Sequence, residues 1–319
     1  MKKKDFKKQL LIDFGGAIIG FAILQALQSF GLVSAYWQGI LLLVCINVIL
    51  TVSLNLTAGF LGELALGHAG FMAVGAYTAA FLTKTLKIIP VAEFPLAIIA
   101  GGLMAMAFGW LACIPTLRLR GDYLAIITLA FGEIIRNLLK NMSIVGGTKG
   151  YTGIPGYTNF AWAYLLAAAC VLLTKSLINS RHGRSIISIR EDEIAAEASG
   201  VNTNYYKLLT FLISTFFAGA AGALYAHYIR FLQPGVFTLD KSIEILVMVV
   251  LGGMGSIRGS VISAAVLTIL PELLRSFSDY RMLMYSIVLI IMMLAKNSAR
   301  ISAWIASFRN KNSAKEAGQ

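Results

Sequence analysis

The chain has 319 residues, 58% hydrophobic and 13% charged, with a formal net charge of +12. A soluble domain carries about 25% charged residues, so this composition excludes a water-solvated globule and makes the lipid bilayer the chain's solvent. The basic residues cluster in short stretches between apolar runs, the pattern of cytoplasmic loops rather than of a nucleic-acid-binding face, and no nucleic-acid partner is expected.

Lys2, Lys3, Lys4, Lys7 and Lys8 precede the first apolar run. That run, residues 14–35, exceeds a signal-peptide core of about 7–15 residues and reads as a retained first membrane helix. A spanning helix takes about 20 mostly apolar residues. Clear spans are 11–32, 36–57, 94–115, 122–140, 160–179, 206–229 and 281–299, with shorter or glycine-interrupted segments at 68–85, 241–254 and 258–275. Together they predict an all-α, polytopic transmembrane helical bundle of ten segments, a single membrane domain over 1–319. Re-entrant short segments would lower the count to eight or nine.

An even count returns the C-terminus to the side of the N-terminus. Alternation then places in the cytoplasm the loop 116–121 with Arg118 and Arg120, the loop 180–205 with Arg181, Arg184 and Arg190, and the tail 300–319 with Arg300, Arg309, Lys311 and Lys315. The predicted outer loops hold only scattered charges such as Lys87, Lys149 and Arg230. This asymmetry puts both termini in the cytoplasm.

The second span runs into a glycine-rich bend, "TAGFLGELALGHAG" at 57–70, which carries Gly59, Glu63, Gly67 and His68 just after Asn55. A second glycine-rich stretch, "LGGMGSIRGS" at 251–260, holds Gly252, Gly253 and Gly255. Glycine-interrupted hydrophobic segments point to a transporter's binding region, and equally to close helix packing through small residues. In span 122–140, Glu133 lies near the bilayer midplane, and Arg136 one turn on can pair with it. These residues are the candidates for a translocation pathway.

The loop 180–205 gathers Glu191, Asp192, Glu193 and Glu197 out of 15 acidic residues in the chain. Ser188 and Glu191 have capping-box spacing, and Glu191, Asp192 and Glu193 in a first turn favour the helix dipole. Ala195, Ala196 and Ala198 are strong helix formers. Gly200 is a C-terminal stop, and Asn202, Thr203 or Asn204 can cap the next helix. Ile187, Ile194, Ala198 and Val201 share one face. A helix over 189–200 follows, on the cytoplasmic side. Its acidity is wrong for the negative inner leaflet, so it is either a solvated loop helix or a docking helix for a cytoplasmic protein.

Enzyme chemistry finds no footing. There is no phosphate loop and no G-x-S-x-G elbow. His68, His182 and His227 are scattered without metal spacing. Cys45, Cys113 and Cys170 lie singly in apolar runs. No cofactor or metal is expected.

Five blocks carry a family resemblance: "LNLTAGFLGELALGHAGFMAVGAYTAA" (54–80), "LRLRGDYLAIITLAFGEIIR" (117–136), "GGTKGYTGIPG" (146–156), "SIREDEIAAEASGVNTNYYKLLTFLISTFFAGAAGALYAH" (188–227) and "SIEILVMVVLGGMGSIRGSVISAA" (242–265). In this order they resemble the LivM-type permease subunits of bacterial branched-chain amino acid ABC importers. The resemblance implies a bacterial inner-membrane permease for leucine, isoleucine and valine. It would work by alternating access with a second permease subunit, two cytoplasmic ATP-binding subunits and an extracytoplasmic solute-binding protein. It also implies that Glu191 to Ala198, with Gly200, form the coupling helix that meets the ATPase. Ala195, Ala196 and Gly200 fit the family's Glu-Ala-Ala, three residues, Gly pattern, with Ile194 in place of the glutamate and Glu193 one residue earlier. Related permeases often carry glutamine where this chain has Glu63. The rival readings are a permease for another small solute, such as urea, another amino acid or a sugar, and an ion-driven transporter using Glu133.

Overall fold

The computed structural model describes residues 34–85, 93–116 and 122–274, with residues 25, 286, 287, 289 and 290. All of span 11–32 except Gln25, all but a few residues of 281–299, the basic N-terminus, Lys87, Arg118, Arg120 and the tail 300–319 lie outside these residues. The chain divides into two compact units, Met1–Ala265 and Val266–Gln319. Of the second, the described part is mainly the end of its entering helix.

Among the described residues the fold is all-α. The helices are α1 (Ala35–Asn55), α2 (His68–Thr85), α3 (Glu93–Thr116), α4 (Asp122–Asn141), α5 (Phe160–Ile178), α6 (Arg181–Glu191), α7 (Glu193–Ala198), α8 (Thr203–Ile229), α9 (Leu239–Gly252) and α10 (Ile257–Leu273). Every apolar segment predicted within the described residues is a helix. Among the described residues, four stretches are long and apolar enough to cross a bilayer: Tyr36–Leu61, Glu93–Pro115, Phe160–Ile178 and Thr203–Ile229. α4 carries Asp122, Glu133, Arg136 and Lys140, too many charges for that class. α9, with 14 residues, reaches only about 21 Å against a hydrocarbon core of about 30 Å.

The core of the first unit is built on small residues. A Cβ built on Gly75 of α2 would stand 2.1 Å from the Gly219 carbonyl oxygen of α8, and one on Gly101 of α3 would stand 2.8 Å from the Gly75 carbonyl oxygen. A Cβ on Gly222 would meet the Met72 carbonyl oxygen at 2.0 Å. Lipid tails are as apolar as leucine, so helices in a bilayer gain little by burying greasy side chains. Close backbone approach and interhelical hydrogen bonds hold them instead. Such bonds join α1 to its neighbours: Ser214 Oγ donates to the Ser53 carbonyl at 2.6 Å, and Thr51 Oγ1 donates to Met248 Sδ at 3.4 Å.

Among the described residues, two groups of connections are tied together by hydrogen bonds. In one, the bend after α1, the α6–α7 loop and the α9–α10 turn meet: Arg190 Nη1 donates to the Gly59 carbonyl at 3.2 Å, and the Gly255 N–H donates to Asn55 Oδ1 at 2.9 Å. In the other, Lys84 Nζ donates to the Thr152 carbonyl at 2.9 Å, the Tyr151 N–H donates to the Leu232 carbonyl at 2.7 Å, and Thr158 Oγ1 donates to the Leu224 carbonyl at 2.9 Å.

Candidate functional site

α1 does not end cleanly. Its last residues widen into a π turn, Leu56–Leu61, and Gly62 at φ +85° stops it. The Glu63 N–H then donates to the Thr57 carbonyl at 3.1 Å. π turns concentrate at functional positions because they shift side chains out of the α register. Asn55 stands just before this turn and stitches it to the α9–α10 connection. Its Nδ2 donates to Ser260 Oγ at 2.8 Å while its Oδ1 takes the Gly255 N–H. A Cβ on Gly59 would collide with Asn55 Oδ1 at 1.8 Å and the Gly255 nitrogen at 2.3 Å. Likewise a Cβ on Gly252 would meet the Gly259 carbonyl at 2.6 Å, and Gly253 turns the chain at φ +99°. Asn55, Gly59, Gly252, Gly253 and Gly255 therefore come together, as a tight crossing of backbone. At these glycines the close-packing reading describes the geometry better than an open path does.

From Gly62 to Gly67 the chain runs without helix and turns back beside the end of α1. α2 starts inside the protein, not at its surface: His68 is buried, and its Nε2 lies 3.0 Å from Ser53 Oγ of α1. Side chains satisfy the backbone here. The Leu66 N–H donates to Thr128 Oγ1 of α4 at 3.0 Å, and the Ala69 N–H donates to Ser242 Oγ of α9 at 3.1 Å. Irregular backbone at membrane depth is tolerated only where protein or water covers it. A helix that begins there aims the positive end of its dipole inward. Gly67, Glu133 and Ser242 line one narrow crevice at this start.

Glu133 and Arg136 form the expected ion pair along α4, with side chains 31% and 22% exposed. A lone charge at the centre of a bilayer costs at least about 2.5–3.5 kcal/mol. Glu133→Gln or Arg136→Gln should therefore each lower the melting temperature and the membrane yield, by removing one partner and stranding the other. The double replacement should recover most of the loss. Thermal melts of the purified wild type, both single variants and the double variant check this. Strictly additive losses would show that the pair does not act as a unit.

The acidic loop differs from its predicted form. One helix over 189–200 is in fact two, because Asp192 is extended (φ −159°, ψ 110°) between α6 and α7. Ser188 is no N-cap; its hydroxyl donates to the Ser185 carbonyl at 2.8 Å inside α6. Asp192 is the cap, its Oδ1 accepting the Ala195 N–H at 3.0 Å. Ser180 caps α6 and Asn202 caps α8. The stop at Gly200 holds: at φ +84° it closes α7 with bonds from the Gly200 N–H to the Glu197 carbonyl at 2.9 Å and from the Val201 N–H to the Ala196 carbonyl at 3.1 Å. That pair of bonds is the Schellman arrangement that glycine permits.

The break also overturns the predicted apolar face. Ile194, 68% exposed, and Ala198 point outward, whereas Ala196 is buried against Leu56, Phe60, Leu61, Ile186 and Ile189. A 3.6-residue phase cannot run through an extended residue, so the register counted from Ile187 does not carry into α7. The carboxylates have separate tasks. Glu191 pairs with Arg190, Asp192 caps, and Glu193 pairs with Lys207, while Glu197 makes no ion pair among the described residues. Ile194, Ala195, Glu197 and Ala198 make up an outward face of α7.

Lys207 escaped the sequence reading. It sits in the second turn of α8, 4% exposed, with Nζ 2.6 Å from a Glu63 oxygen and 2.9 Å from a Glu193 oxygen. The available signal was a lysine inside an apolar span with no acid within four residues, since a buried ammonium needs a counter-charge from somewhere. Burial pushes the Glu63 carboxyl above its ordinary range, and Lys207 pulls it back. Among the described residues no three His, Cys, Asp or Glu side chains converge as metal ligands. The constellation can hold and shift segments of backbone.

Comparisons with known proteins identify relatives of the sequence. The chain is 37% identical over 312 residues to the high-affinity branched-chain amino acid transport system permease protein LivM of Escherichia coli (strain K12), covering 87% of this chain and 72% of that one. It is 39% identical over 284 residues to LivM of Salmonella typhimurium, covering 78% and 66%. It is also 30% identical over 159 residues to the ribose import permease protein RbsC of Haemophilus influenzae, covering 47% and 48%. No solved structure matches. Residues 36–295 match the model of the branched-chain amino acid transport system / permease component. The match spans the π turn, the buried start of α2, the acidic loop and the α9–α10 crossing, and the chain belongs to that family of membrane transport permeases.

Proposed function

We propose that this chain is the permease subunit of an ATP-binding-cassette importer for leucine, isoleucine and valine in a bacterial inner membrane, with both termini in the cytoplasm. The carrying observation is the family match over 36–295, with 37% identity to a branched-chain amino acid permease across most of the chain. The permease supplies a path and no chemistry. A solute-binding protein delivers the amino acid to a cavity between this chain and a second permease subunit. Two cytoplasmic ATPases dock on the coupling segment 191–200 and drive alternating access. The broken start of α2, with His68 and the Glu133–Arg136 pair near it, is the membrane-buried region that such a cycle would reposition.

Uptake of labelled leucine, isoleucine, valine, urea and ribose by cells with and without the gene tests the substrate. Saturable uptake of the three branched-chain amino acids should disappear with the gene. The similarity to RbsC supports one other reading, a sugar permease; loss of ribose uptake alone would establish it and reject the first.

A further inference from the structure

Resting on the reading of α7 as the coupling helix, we infer that Lys207 is the positioning residue that transmits α7's displacement to the buried start of α2, through a serial Glu193–Lys207–Glu63 link. α7 is a six-residue helix whose buried contact is Ala196 alone, with Glu193 partly buried at its first turn. Ala196 and the partly buried Val201 after it keep α7 on the apolar cluster, and the charge contact adds a tie from α7 to α8. That contact ends on an ammonium that also holds Glu63, a residue of a different segment. One cation thus joins two carboxylates that would otherwise repel each other.

The segment beyond Glu63 is firmly connected. Leu66 is bonded to Thr128 of α4, His68 lies beside Ser53 of α1, and Ala69 is bonded to Ser242 of α9. A shift of Glu63 has α1, α4 and α9 at its far end. A second tie runs in parallel, from Arg190 at the end of α6 to the Gly59 carbonyl. It bypasses α7, because the chain is broken at Asp192. Coupling through a protein is carried by such contiguous networks, and it must be shown by energetics rather than by adjacency.

A serial link has a specific signature: cutting either joint, or both, has the same effect. The test uses the assembled transporter in proteoliposomes, with Glu193→Gln, Glu63→Gln, both together, and Lys207→Met. Each variant should retain the ATPase on co-purification, since the outward face of α7 is untouched. Each should lower leucine taken up per ATP hydrolysed by about tenfold, within the roughly 5–150-fold span of typical coupling energies. In the double variant Lys207→Met is added, so that no buried ammonium is left without an anion, and it should be no worse than the single ones. Multiplying losses in the double variant, an unchanged uptake-to-hydrolysis ratio, or joint loss of ATPase and uptake would each overturn the link, the last by making Lys207 a mere support for α7. If wild-type protein itself retains no ATPase, the coupling-helix reading fails first, and the inference with it.

Discussion

Gly75→Ala should abolish accumulation of the folded protein in the membrane, while Gly235→Ala should leave it unchanged. The two substitutions add the same methyl group. At Gly75 that carbon would lie 2.1 Å from the Gly219 carbonyl oxygen and 2.3 Å from its Cα, while at Gly235 it would meet nothing within 4 Å. The obstacle at Gly75 is backbone, so no rotamer change relieves it. α2 and α8 must separate, and Gly101 of α3 packs on the same spot. Overpacking typically costs about 1–3 kcal/mol where side chains can give way, and more is expected here because only whole helices can. Separation also forfeits the close backbone contact that holds helices together in lipid. Membrane yield and detergent melting temperature of both variants check the claim. Normal yield and melting of Gly75→Ala would mean that these helices do not approach as described.

If α7 is the coupling helix proposed above, Ile194→Asp should prevent docking of the ATPase while leaving insertion unchanged. Ile194 is 68% exposed on the outward face of α7 and touches none of the membrane core. An apolar side chain exposed on a short capped helix is suited to a central anchor in a partner's groove. Removing such an anchor costs about 2 kcal/mol or more, roughly a thirtyfold loss of affinity. Gly200→Val should give the same phenotype by another route. Space is free around Gly200, but its φ of +84° resists a β-branched residue. The Schellman stop would loosen and α7 would lose its end. Ala196→Trp, in contrast, should disturb the subunit's own packing, because Ala196 faces Leu56, Phe60 and Ile189. Co-purification of the ATPase with each variant, measured beside membrane yield, separates these cases. Normal ATPase retention by both Ile194→Asp and Gly200→Val would make α7 an ordinary solvated helix.

The sequence by itself determined the class and much of the layout. A charged fraction of 13% leaves water excluded as the solvent for most of the chain, and apolar runs of near-spanning length have one stable form in lipid, a helix with its backbone bonds internal. Hence α1 to α5 and α8 to α10 fall where hydropathy puts them. The Glu133–Arg136 pair was legible because both partners lie one turn apart on a single helix. Gly200 was legible because a helix stop is a local event. Tertiary structure decided the rest. Whether Asp192 continues a helix or breaks it depends on Ile186 and Ala196 both reaching the apolar cluster of Leu56, Phe60 and Leu61, contacts that lie far away in sequence. Which alanine faces inward follows from that break, not from counting. Lys207 announced only that it needed an anion. That it takes Glu193 and Glu63 together follows from the bend after α1 folding back beneath α8, a matter of where three segments meet in space, which no local periodicity encodes.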